Sequence, residues 1–219
     1  MPDFNCAVCG RLFTVSEAAL QRYPGWTPKY CRDHSPRRGK TAPAERSSDS
    51  AAPLEQASAS PLDLSPAEVL KRFSAGPQSG IFTDGSARPN PGPGGWGAVY
   101  VRDGRIIAEV SGGAALTTNN RMELTALIEG IRLLPEDETL PVYTDSELCV
   151  NTINHWAEAW ARRGWRRKTG PVENLDLVKP LFELCRRRGI KLQWIKAHNG
   201  WLWNEYANAL AAARAKASP

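Results

Sequence analysis

Three acidic residues stand inside short polar boxes: Asp84 in Thr-Asp-Gly-Ser, Glu123 in Asn-Asn-Arg-Met-Glu-Leu and Asp145 in Thr-Asp-Ser. Convergent carboxylate oxygens suit a hard divalent cation, Mg²⁺ or Mn²⁺, so the three read as ligands of one metal site. The plainer alternative makes the two Asp residues turn caps and Glu123 a solvated helix residue. A second ligand set lies near the N-terminus. Cys6-x-x-Cys9 and Cys31-x-x-His34 form two chelating pairs with the spacing of a Cys₃His structural zinc site. So small a module has too little core to fold alone, and zinc would supply the missing stability. Cys149 and Cys185 fall in expected helices and read as core residues.

The elements that must carry the acidic boxes follow from hydrophobic periodicity. Asp84 closes a strand over Gly80–Thr83, Asp145 closes one over Leu140–Thr144, and Glu123 opens a periodic run in a helix over Asn120–Leu133. Strands over Trp96–Arg102 and Arg105–Ser111 flank Asp103-Gly104, a hairpin turn signal. A helix from Glu147 to about Trp160, a basic loop, a helix over Leu175–Arg188, a strand over Ile190–Ile195 and a last helix from Asn204 complete the order. Strands in a meander, then strands alternating with helices, imply an α/β domain with a mixed sheet flanked by helices.

With 219 residues, 42% of them hydrophobic, the chain can hold one full domain and a small module. We divide it into a zinc-binding-like module (1–34), a flexible linker rich in Ser, Ala and Pro (35–76) and the main domain (77–219). Within the linker, Ser65-Pro66-Ala67-Glu68 has capping-box spacing and starts a short helix over Ala67–Phe73. The net charge of +5 favours a polyanionic partner. Arg11, Arg22, Lys29, Arg32, Arg37 and Arg38, with Trp26 and Tyr30, tilt the module towards nucleic acid, with a protein partner as the alternative. The stretch from Trp156 through Trp160 and Trp165 to Arg166, Arg167 and Lys168 is basic and aromatic, suited to phosphates and sugars. No apolar run is long enough to cross a bilayer, and the N-terminus lacks the basic and apolar regions of a signal peptide, so a cytoplasmic protein is expected.

The order of the three boxes, followed by Trp-Ile-Lys-Ala-His198 and Asn204-Glu205, resembles a type 1 ribonuclease H from about Gly80 to the C-terminus. The resemblance implies the ribonuclease H-like fold, a five-stranded mixed sheet flanked by helices, here preceded by a zinc-ribbon-like module. It implies a monomeric endoribonuclease that cuts the RNA strand of RNA/DNA hybrids with two Mg²⁺ or Mn²⁺ ions, leaving 5′-phosphate and 3′-hydroxyl ends. By similarity Asp84 would bridge both ions, while Glu123 and Asp145 would each serve mainly one. The fourth ligand position, acidic in the family, is Asn208, which removes one negative charge. A catalytically weak or silent hybrid-binding protein is therefore the alternative. A relative of integrases and transposases fits the Asn119-Asn120-Arg121-Met122-Glu123 box and the basic stretch less well. His198 would assist proton transfer or product release. The Gly85 backbone, Asn90, Asn119, Asn120, Glu147 and Asn151 would line the hybrid's minor groove, where 2′-hydroxyls mark the RNA strand. Thr118 would contact a DNA phosphate, Trp156 the DNA strand, and Trp165 would be core. Glu147, Leu116 and Ala159 replace the usual Gln, Arg and Asn.

Overall fold

The computed structural model describes residues 2–6, 12–15, 21, 27 and 64–217. The chain divides into two compact units, Met1–Leu54 and Glu55–Pro219. In the first, β1 (Asp3–Asn5) and β2 (Leu12–Thr14) pair antiparallel, with Phe4 and Phe13 ring centroids 6.1 Å apart. Cys6, directly after β1, is buried. Cys9, Cys31 and His34 of the expected zinc set lie outside the described residues.

The second unit opens with α1 (Pro66–Arg72), whose capping box is fully formed: Ser65 and Glu68 exchange side chain to backbone hydrogen bonds. It continues with β3 (Gly80–Ala87), β4 (Gly92–Arg102), β5 (Arg105–Thr117), α2 (Asn119–Arg132) and β6 (Val142–Thr144). Then come α3 (Glu147–Asn151), a π-helical turn (Thr152–Trp156), α4 (Ala157–Arg162), the two-residue pair β7 (Arg166–Arg167) and β8 (Gly170–Pro171), α5 (Leu175–Arg188), β9 (Leu192–Trp194) and α6 (Leu202–Ala217). Five strands form one mixed sheet in the order β5-β4-β3-β6-β9; β3, β4 and β5 are antiparallel, and β6 and β9 run parallel to β3.

Both faces of this sheet are covered. On one, Ile81, Tyr100 and Val142 pack with Leu124, Leu127 and Ile131 of α2 and Leu181 of α5. On the other, Phe82, Val99 and Tyr143 pack with Leu202, Trp203, Tyr206 and Leu210 of α6. The alternation of Ile81 and Phe82 between the two cores is the period-2 geometry of a central strand. Burial at both faces removes apolar surface worth roughly 25 cal/mol per Å².

The hairpin turn forms as expected, with Asp103 at φ 49° and Gly104 at φ 73° joining the paired Arg102 and Arg105. Four expectations need correction. β4 begins at Gly92 and β5 runs to Thr117, because the Gly-rich and Ala-rich flanks pair with each other, Gly94 opposite Ala114, despite weak strand propensity. Asp84 lies inside β3 and not at its end, since β3 keeps pairing with β4 as far as Ala87. The helix after Glu147 is broken by the π turn. Residues 64–76, assigned to the linker, contribute Leu64, Val69 and Phe73 to the core under α6.

Close backbone approach makes the site possible. A Cβ on Gly85 would stand 2.3 Å from the Met122 carbonyl carbon and 2.4 Å from the Glu123 nitrogen, so the first turn of α2 rests directly on β3. Gly85→Ala is expected to cost at least about 2 kcal/mol, because backbone and not a side-chain tip must move. Urea denaturation measures it, and an unchanged midpoint would contradict this packing.

Candidate active site

Parallel pairing sets the first two acids side by side. Thr83 is in register with Thr144, so Asp84 and Asp145, one residue on, leave neighbouring strands at the same level. Neighbouring strands lie about 4.8 Å apart, so the two side chains start close enough for their carboxylates to approach one ion. α2, capped by the Thr118 hydroxyl accepting from the Arg121 N–H, delivers Glu123 from above. Each of the three residues offers an oxygen, and these oxygens all lie within 4.8 Å of one another. Asp84 and Glu123 are buried and Asp145 is half-buried.

Hydrogen bonds to these acids are few. The Gly85 N–H donates to Asp84 Oδ1 at 2.8 Å, and the Thr144 hydroxyl donates to Glu123 Oε2 at 3.4 Å. The Trp194 indole N–H donates to the Asp145 backbone carbonyl at 3.2 Å. Burial, then repulsion from Asp145, raises Asp84 to about 7. Burial followed by the charges of Asp84 and Asp145 pushes Glu123 well above the usual carboxylate range. Burial also raises Asp145, against the opposing pull of His198 and an Asn204 hydrogen bond. Arg88 and His198 offset only part of the repulsion among three carboxyls that resist ionisation together, and a divalent cation is the group that supplies the remaining counter-charge.

The three acids open into a cleft of about 430 Å³ that is also lined by Ser86, Arg88, His198, Asn208 and Lys216. Asn208 reaches it from the buried face of α6. Glu205, on the same helix, is buried; its Oε2 has no hydrogen-bond partner among the described residues and lies 3.6 Å from His198 Nδ1. Ser86, Arg88 and Lys216 were absent from the sequence reading. A period-2 step from Asp84 to Ser86 and the helical step of eight from Asn208 to Lys216 were the available signals.

Asn120, Trp156 and Arg167 meet at a second cleft of about 220 Å³ with Leu148, Cys149 and Trp160. The Asn90 side-chain carbonyl accepts from the Asn119 N–H at 3.2 Å, and the Asn119 side-chain carbonyl accepts from the Ala87 N–H at 2.7 Å. Both side chains thus brace the loop between β3 and β4 and keep their amide N–H groups as donors. Glu147 is exposed and Asn151 half-buried on α3. Arg166 and Lys168 are exposed, whereas Arg167 donates to the Pro171 carbonyl and pairs with Glu173 at 2.9 Å. Trp165 packs edge-on against Phe182. Cys149 and Cys185 are buried, which pushes both thiols up to about 12.

The RNase H family profile matches residues 77–216. A protein named Ribonuclease H from Erythrobacter litoralis (strain HTCC2594) is 48% identical over 132 residues, covering 60% of this chain and 91% of that protein. Another so named, from Methylorubrum extorquens (strain PA1), is 43% identical over 131 residues, covering 60% of this chain and only 57% of its own length. Among solved structures, LC9-RNase H1, titled a type 1 RNase H with the type 2 active-site motif, is 33% identical with a TM-score of 0.54, covering 67% of this chain and 76% of its own. LC11-RNase H1, solved in complex with RNA/DNA hybrid, is 25% identical with a TM-score of 0.50 over 63% of this chain and 96% of its own.

Because Asp84 holds its proton more tightly folded than unfolded, its contribution to stability is full below about pH 4 and is lost as pH rises through about 7, and the raised Glu123 and Asp145 act in the same direction. Thermal unfolding in chelator is expected to show Tm falling from pH 5 to pH 8, with Asp84→Asn flattening the fall and added Mg²⁺ restoring Tm at pH 8. A flat profile in the unmodified chain would contradict the assigned repulsion.

Proposed function

We infer the function from the premise that this chain belongs to the ribonuclease H family, whose profile covers residues 77–216: it is an endoribonuclease that hydrolyses the RNA strand of RNA/DNA hybrids. The observation that carries the reading is the convergence of Asp84, Glu123 and Asp145 in one cleft with Asn208 and His198. Asp84, Glu123, Asp145 and the amide oxygen of Asn208 would hold two divalent ions, Mg²⁺ or Mn²⁺. When bound, such a pair supplies a nucleophilic water and stabilises the leaving 3′ oxygen, which gives 5′-phosphate and 3′-hydroxyl ends.

The chain's own residues do the positioning. His198 is exposed at the cleft with a buried carboxylate behind it, an arrangement suited to holding or passing a proton at Nδ1. The amide donors of Asn90 and Asn119, with Asn120, Glu147, Asn151 and the Gly85 backbone, would meet 2′-hydroxyls in the minor groove. Thr118, Trp156, Arg166 and Lys168 would take the DNA strand, with Arg167 holding that loop through Glu173. The N-terminal Cys6, Cys9, Cys31 and His34 would bind one structural zinc, and the module's basic residues favour nucleic acid as its partner. No helix among the described residues is long and apolar enough to cross a membrane.

Three experiments test this. With labelled hybrid, RNA duplex and single-stranded RNA in Mg²⁺, only hybrid is expected to be cut, and Asp145→Asn is expected to lower kcat at least about 100-fold. Cleavage of all three substrates, or an active Asp145→Asn, would overturn the assignment. A neutral amide oxygen holds a cation more weakly than a carboxylate, so Asn208→Asp is expected to lower the Mg²⁺ needed for half-maximal rate and Asn208→Ala to raise it. If only Asn208→Asp cleaves, the silent hybrid-binding alternative replaces the enzyme. Metal analysis is expected to find about one zinc per chain, lost in Cys31→Ser.

A further inference from the structure

The loop that carries His198 is held at one end from inside the segment that matches the family, residues 77–216, and at the other from outside it. At its start, the Ile195 N–H donates to the Thr144 carbonyl at 3.0 Å; at its end, the Leu202 N–H donates to the Ala75 carbonyl at 2.8 Å. Ala75 also forms a parallel bridge with Trp201. The next residue, Gly76, has φ 101°, and a Cβ there would stand 2.8 Å from Trp201 Cγ and 2.9 Å from its Cβ. Only glycine lets the backbone lie against this indole. Phe73 reaches the other side of the loop, its Cδ1 4.0 Å from where a Gly200 Cβ would be. The Gln78 amide donates to the Gly76 carbonyl at 2.9 Å and fixes the turn.

Upstream, this short segment is anchored in the core. Val69 and Leu64 are buried with Ile195, Leu202, Trp203 and Tyr206, residues that bracket the same loop. Within the loop, His198 holds φ 49°, a region sparsely populated by non-glycine residues, and the Trp201 N–H donates to Asn199 Oδ1 at 3.1 Å. A conformation of this kind persists only where the surroundings over-determine it.

We propose that residues 73–76 are a strap that positions His198 at the acidic cleft by clamping Trp201, so that turnover depends on a segment outside the ribonuclease H match. The proposal rests on the assignment of His198 to the reaction. The strap residues do not line the cleft; they set the loop geometry, and a displacement of about 1 Å at a reacting group can cost on the order of 100-fold in rate.

The test uses the full chain with Gly76→Ala, His198→Ala and the double variant, each checked for a cooperative unfolding transition. Gly76→Ala is expected to lower kcat about tenfold with KM changed less than about twofold, and to have less than about twofold effect once His198 is already Ala. Equal effects in both backgrounds, or a silent His198→Ala, would overturn the proposal. Phe73→Ala, which loosens the strap without a clash, is expected to reproduce the pattern more weakly. Hydrogen exchange supplies a readout independent of cleavage: Gly76→Ala is expected to speed exchange at residues 196–202 about tenfold while leaving β3 and α2 unchanged. Unchanged exchange in the loop would sink the strap even in an active enzyme, whereas a chain that cuts no hybrid but shows the faster exchange would fail only as a ribonuclease H.

Discussion

The register between β3 and β6 is the constraint on which the site depends. Pairing Thr83 with Thr144 places two aspartates at the same level on adjacent parallel strands, and the contact at Gly85 brings a third carboxylate from α2. No local preference favours three carboxyls at this spacing. They are held there by the apolar cores on either face of the sheet, with Ile81, Phe82 and Val142 essentially without exposure. Fold and site oppose each other electrostatically in the metal-free chain, and a bound cation reverses the sign of that opposition.

Asn208 changes this balance in a definite direction. A carboxylate at its place on α6 would add a further negative charge to a cleft where Asp84 already sits near 7. The amide adds no charge to the repulsion among the acids and, as a ligand, would hold a second ion more weakly than a carboxylate. Arg88, whose charge draws Asp84 downwards, and His198, which does the same for Asp145, act in the same sense as a cation would. Both line the cleft, so this chain supplies from its own side chains some of the positive charge that the acids lack.

Much of the arrangement was legible in the sequence because it is local. The Asp103-Gly104 turn and the Ser65 to Glu68 capping box each depend on a few consecutive residues, and both form. The acidic boxes were legible as chemistry, since Asp84 between Thr83 and Gly85 and Asp145 between Thr144 and Ser146 have little to contribute to packing. What escaped is long-range. The full lengths of β4 and β5 rest on pairing between glycines and alanines with no alternating pattern, and the π turn at Thr152–Trp156 has no compositional mark. The role of residues 64–76 depends on Trp201, more than 120 positions away. Arg88 and Lys216 enter the cleft through strand and helix periodicities that become informative once Asp84 and Asn208 are fixed. The zinc set remains an inference from spacing, with only Cys6 among the described residues.

The central claim, that these side chains form a two-ion centre, is tested most directly by locating Mn²⁺ through anomalous diffraction from crystals of the chain with an uncleavable RNA/DNA hybrid. The account predicts two peaks about 4 Å apart, both touching Asp84, with Asn208 beside the more weakly occupied one. Manganese bound elsewhere while the cleft between Asp84, Glu123 and Asp145 stays empty would contradict it.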